Sequence, residues 1–157
     1  MKRCNVITTF AWSMLVCGFT CGSGCSNPSA ESRVVIPKER LPAGWKMSSS
    51  DVVTGSRTKE FDTEGQPASA TKVQIALYEK VHGIDGWDVT IVCLTYPHRN
   101  DAMWICNDLR NISDNTDRLV GLHRVLPNTV FYLSMYKDSP DREFFEEYFH
   151  ATVSAPP

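Results

Sequence analysis

Beyond residue 25 this 157-residue chain has only two cysteines, Cys93 and Cys106, and its four histidines, His82, His98, His123 and His150, are scattered. None shows the close Cys or His spacing of a zinc site, so neither a metal nor another cofactor is expected. A nucleophile elbow, a phosphate-cradling glycine loop and a dinucleotide fingerprint are all missing, which lowers the case for an enzyme and leaves no catalytic residue to name. There is no internal repeat. Basic charge is also short: setting aside Lys2 and Arg3, the chain has 14 basic against 18 acidic side chains. Such a domain lacks the basic stripe that neutralises a phosphate backbone, so nucleic acid is not an expected partner.

What the chain does have begins at its N-terminus. Lys2 and Arg3 precede an apolar stretch from Val6 through Trp12 and Val16, which has the order of a secretory signal. That stretch is shorter than the ~20 residues a helix needs to cross hydrocarbon, so a retained anchor is the weaker reading. Ser23-Gly24-Cys25 then resembles the lipobox of bacterial lipoproteins, although Gly22 stands where that family prefers an apolar residue. The resemblance is confined to the leader. It implies that Cys25 is lipidated and becomes the mature N-terminus, attaching the chain to the outer or cytoplasmic membrane on the periplasmic or exterior side. Ser26 after the cysteine resembles the pattern for release to the outer membrane. The alternative is a plain secretory peptide cut near Ala30 and a secreted product.

Composition then divides the chain into a signal peptide over 1–25, a flexible tether over 26–40 and one globular domain over 41–157. Segment 48–70, rich in Ser, Thr, Gly and acids, reads as edge strands or turns. From Thr71 to Val81, Val73, Ile75, Leu77 and Val81 alternate with polar neighbours, the period of a half-buried strand. A turn at 82–86 leads to a second strand, Val89 to Tyr96, apolar on both faces. Ala102 to Cys106 reads as a returning strand, with a hairpin around His98 to Asp101. Residues 107–117 read as a polar loop or the start of a helix. Leu119, Leu122 and Leu126 recur at helical spacing, and Pro127 ends that run. Thr129 to Lys137 reads as a strand. The closing helix has Ser139 as N-cap, Pro140 at its first position and an aromatic face of Phe144, Phe145, Tyr148 and Phe149.

This order predicts an α+β fold, a mostly antiparallel sheet packed by a C-terminal amphipathic helix. Leu41-Pro42-Ala43-Gly44-Trp45 and the run Phe144 to Phe149 resemble the PsbP-like family of exported sheet-and-helix domains. That resemblance implies a fold and adds little about activity.

Export makes a disulfide between Cys93 and Cys106 the expected state, because the predicted hairpin places them face to face; two buried thiols remain the alternative. His98 with Asp101, or His82 with Asp85 and Asp88, has base-and-orienter spacing that is common by chance. Asn107, Asp108, Asn111, Asp114, Asn115 and Asp117 gather oxygen ligands, but in no calcium-loop spacing. Asn111-Ile112-Ser113 is a glycosylation sequon, relevant on a eukaryotic secretory route. Trp45, Trp87 and Trp104, with Tyr78 and Tyr136, could form an aromatic platform for a sugar or peptide, or serve as core. The expectation is thus a non-enzymatic binding or assembly role with an envelope protein partner. An envelope enzyme assembled only in three dimensions, or a tryptophan-based sugar or peptide module, stands against it.

Overall fold

The alternating stretch from Lys72 to His82 is a strand, second from one edge of a five-stranded sheet. The computed structural model describes residues 34–82, 85–114 and 119–154, so the leader with Cys25 lies outside the described residues. The strands are β1 (Trp45–Thr54), β2 (Lys72–His82), β3 (Asp85–Thr95), β4 (Leu119–Leu126) and β5 (Thr129–Tyr136). Their order is β1-β2-β3-β5-β4, and every neighbouring pair is antiparallel. Helix α1 (Arg99–Asp114) joins β3 to β4, and helix α2 (Arg142–Ser154) closes the chain. The fold is therefore α+β, with the C-terminal helix against an antiparallel sheet.

Since β5 is antiparallel to both β3 and β4, those two strands run the same way, with α1 as the crossover between them. A crossover helix must cover a sheet face, so both faces become core. On one face Tyr78, Ile91, Leu133 and Met135 meet Phe145, Phe149 and Val153 of α2. On the other, Val73, Ile75, Leu94 and Tyr132 meet Ala102, Ile105 and Cys106 of α1.

That second layer overturns the reading of 102–106 as a strand. Ala102, Ile105, Cys106 and Leu109 fall at i, i+3, i+4 and i+7, one stripe of a helix, and the short apolar run inside them is ambiguous by itself. The 98–101 hairpin is replaced by the start of α1, and with it goes the register that was to join the cysteines. Cys93 and Cys106 form no disulfide. They belong to different cores, Cys93 on the α2 face and Cys106 beneath α1 on the opposite one. Asn107, Asp108, Asn111 and Asp114 lie on α1 rather than on a loop, while Asn115 and Asp117 lie outside the described residues.

Residues 119–126 are likewise a strand and not a helix. Their leucines, spaced three and four apart, follow the helical period, but the two-residue loop Pro127-Asn128 folds β4 onto β5, pairing Leu126 with Thr129. Asn128 then ties that loop to the end of β3: its carbonyl accepts from the Tyr96 N–H at 2.9 Å, and its amide donates to the Tyr96 carbonyl.

The start of the domain also differs from the composition boundary. Val34 and Ile36, assigned above to a tether, are 1% and 2% exposed. Buried Tyr78 clamps them: its hydroxyl accepts from the Ile36 N–H at 2.7 Å and donates to the Val34 carbonyl at 3.1 Å. Tyr148 adds a bond to the Val35 carbonyl at 3.1 Å. Helix α2 begins at Arg142, so Ser139 is buried ahead of it and Asp141 holds the capping position, its carbonyl accepting from the Phe145 N–H.

Candidate functional site

The two faces are each covered in halves, and the cover is incomplete on one of them. Helix α2 lies against β5 and β4, leaving the β1–β2 half of its face to the segment Val34–Ile36. That segment is pinned over Tyr78, four residues along β2 from Gln74. Beyond it opens a shallow cleft of about 350 Å³, lined by Val34, Val35, Ser50, Asp51, Val52, Gln74 and Ile75.

Gln74 makes this cleft chemically distinct. It is 7% exposed, and its Nε2 has no hydrogen-bond partner. A buried amide donor left unpaired costs roughly 1 to 3 kcal/mol, so a residue kept in that state is a candidate for ligand contact. In register it stands between Val52 of β1 and Cys93 of β3, neither of which offers a good acceptor. Beside it, Val52 is 44% exposed, and its N–H donates to Asp51 Oδ1 at 2.8 Å. Strand β1 is a sheet edge, so its outer side has no neighbouring strand among the described residues. Period two hid this site: Gln74 alternates with Val73 and Ile75 and reads as solvent-facing, whereas its face is core.

The residues marked by sequence do not converge. Exposed His98 precedes α1, and no hydrogen bond joins it to Asp101. Asp101 Oδ2 is buried without a partner, as is the Tyr132 hydroxyl. His150 is exposed against the Phe149 ring, and the side chains of His82 and His123 lie outside those described. Asp88 is exposed; partial burial and then the facing Glu79 raise its carboxyl, while Glu79 pairs with Lys46 at 2.9 Å. Tyr96 has Asp62 and Asp101 within electrostatic reach, but burial first and those charges second raise its phenol above the ordinary tyrosine value. A phenol held protonated is a poor base or nucleophile at neutral pH. Among the described residues no group of His, Cys, Asp and Glu could hold a metal ion, and no helix is long and apolar enough to cross a membrane.

The tryptophans are separated as well. Trp45 is core on the α2 face, its ring 4.8 Å edge-on to Phe145. Trp87 meets Tyr136 edge to face at 6.2 Å, and Trp104 stands 36% exposed on α1, over the other face. Tyr78 is buried under the N-terminal segment, so no single platform contains these rings.

A second cleft, about 420 Å³, lies at the start of α2 among Ser139, Asp141, Arg142, Glu143 and Glu146. Three of its four charged residues are already engaged, Arg142 with Glu146 at 2.6 Å and Asp141 with Lys80 at 2.8 Å. The β1 cleft therefore has the stronger claim. Compared with protein families, curated proteins and solved structures, the chain has no match.

Proposed function

We propose that this is an exported cell-envelope protein, lipidated at Cys25 and held by that lipid on the outer or cytoplasmic membrane, with a non-enzymatic binding or assembly role toward an envelope partner. The leader supports the location. The observation that carries the binding role is the cleft at the edge of β1, where a buried amide donor waits beside an open strand. Binding modules place unmet polar groups among apolar walls in this way, because a ligand then completes a hydrogen bond that water reaches poorly. A catalytic site asks for titratable groups aimed at one reacting atom, and among the described residues the groups around this cleft are instead an amide, a hydroxyl and a single carboxylate.

Location is tested by intact mass and membrane fractionation of the full chain. The expected result is a membrane-bound species beginning at Cys25 with the added mass of acyl chains, and release into the soluble fraction for Cys25→Ser. An unmodified N-terminus downstream of Cys25 overturns lipidation. Binding is tested separately by replacing Val52 with a photoreactive residue in intact cells. A discrete adduct is expected there and not from the same probe at exposed Asn107 on α1; equal labelling at both positions overturns the role assigned to β1.

A further inference from the structure

Resting on that binding role, we propose that the cleft receives an extended, uncharged peptide segment of an envelope partner, laid along the free edge of β1 with one carbonyl bonded to Gln74 Nε2. The donor comes first. Gln74 is more than nine-tenths buried and its Nε2 is unpaired, so the ligand must present an acceptor at the cleft floor. Charge chooses the acceptor. Among the described residues Asp51 is the only charged one lining the cleft and no cation stands with it, so a carboxylate or phosphate is repelled where a neutral carbonyl is not. An amide meets that condition, and Val34, Val35 and Val52 give apolar walls to the side chains beside it.

The strand edge turns an amide into a peptide. An extended segment beside an edge strand gains main-chain hydrogen bonds along its length, and alternate side chains fall toward one face, here the face containing the cleft. Ser50, Asp51 and Val52 are exposed, so the approach is clear. The edge is also guarded. Asp51 already occupies the Val52 N–H, and the pairing of β1 with β2 shifts between Met47 and Ser49. Charges and irregularities of this kind suppress indiscriminate pairing, including pairing with a second copy. A peptide that also satisfies Gln74 offsets the loss of the Asp51 bond, whereas an arbitrary strand does not.

The test displays random dodecapeptides to the full chain held in detergent, followed by titration of the enriched peptide into isotope-labelled protein. Enrichment of peptides poor in acidic residues is expected, with shifts at the Gln74 side-chain amide and the Val52 backbone amide. Gln74→Leu, folded by circular dichroism, is expected to bind roughly tenfold more weakly or worse, the value of one buried hydrogen bond. Asp51→Ala frees the Val52 N–H and is expected to bind more tightly. The proposal is overturned if no peptide is enriched, if Gln74→Leu binds as well as the parent, or if Asp51→Ala leaves affinity unchanged. It is equally overturned if the chain self-associates in sedimentation and Gln74→Leu abolishes that dimer, since the occupant is then a second copy. A chain that is lipidated and labels a partner from Val52 but binds no peptide overturns this inference alone.

Discussion

The indole N–H of Trp45 donates to Oδ2 of Asp141 at 2.9 Å, joining the first residue of β1 to the residue before α2 across 96 positions of sequence. The same oxygen accepts from Lys80 Nζ at 2.8 Å, and Lys80 stands 6.0 Å from the Trp45 ring centre. Asp141 meets both donors from a left-handed backbone, φ +60, a conformation that costs most side chains of order 1 kcal/mol and Asp somewhat less. Gly44 completes the arrangement. It has φ +85, and a Cβ there would lie 3.2 Å from Cε of Lys80, so a side chain would press on the stem that delivers the ammonium. Gly44-Trp45 thus has a local physical reason: the glycine admits the lysine, and the indole is buried with its N–H satisfied.

This contact has a pH signature. The hydrogen bond from Lys80 first, and that from Trp45 second, hold the Asp141 carboxyl below its ordinary value. A depressed carboxyl stabilises the fold at pH above its unfolded value, and the contribution is lost as pH falls through the folded one. Lys80→Met and Trp45→Phe are each expected to lower stability at pH 7 by about 1 kcal/mol or less, because the carboxylate is partly exposed. Urea melts from pH 7 downward check this. The deficit of Lys80→Met should persist below pH ~4, the ordinary range of Asp, and close only at lower pH. A deficit independent of pH would mean that the lysine acts through its stem alone.

Tyr78 makes a second prediction, since its hydroxyl is the shared partner of the Val34 carbonyl and the Ile36 N–H. Tyr78→Phe removes one atom and leaves two buried backbone groups unpaired, at a cost of about 1 to 3 kcal/mol each if water cannot reach them. Hydrogen exchange at Ile36 should accelerate more than exchange in β3, because the segment loses its clamp. Burial pushes the phenol up to about 12, against which the Ile36 bond acts as the smaller effect. A raised acid stabilises the fold below its unfolded value and ceases to do so as pH climbs through the folded one. Between pH about 10 and about 12 the parent is therefore expected to lose stability that Tyr78→Phe does not lose. Parallel loss in both proteins would place the alkaline transition elsewhere.

How far the sequence revealed this arrangement depended on how local each signal was. The strands β2, β3 and β5 and the aromatic face of α2 are written in adjacent residues, and all are present. Ala102 to Cys106 is short, apolar and compatible with either period; only Leu109 completes the helical stripe, and with it the second layer. That one misreading hid the burial of both sheet faces, and with it the meaning of Gln74 and Tyr78, which alternate like solvent-facing residues. The partners of Tyr78, Trp45 and Asp141 lie 42 to 96 positions away, where no spacing rule reaches.

The cysteines offer the sharpest test of the second layer. Cys93 lies on β3, in line with Gln74 and Phe131, and points into the core beneath α2. Cys106 is on the buried stripe of α1, in the core on the opposite face. A disulfide needs Cα atoms closer than about 7 Å with converging Cβ vectors, which residues in cores on opposite sides of a sheet do not provide. Both thiols are therefore expected to stay reduced in the folded domain, sheltered at 5% and 6% exposure. Burial, more than the opposing pull of Arg110, raises the Cys106 thiol, so its reactive thiolate is scarce at neutral pH. Thiol titration of the chain, with Cys93 and Cys106 resolved by peptide mapping, should find neither of them reactive in the native state and both after denaturation. Reductant should leave the urea midpoint unchanged, whereas loss of a bond closing a loop of this length would cost about 3 kcal/mol. A mapped Cys93–Cys106 bond would refute more than the thiol state: it would require α1 to leave its face of the sheet and the chain from Ala102 to Cys106 to return beside β3 as a strand.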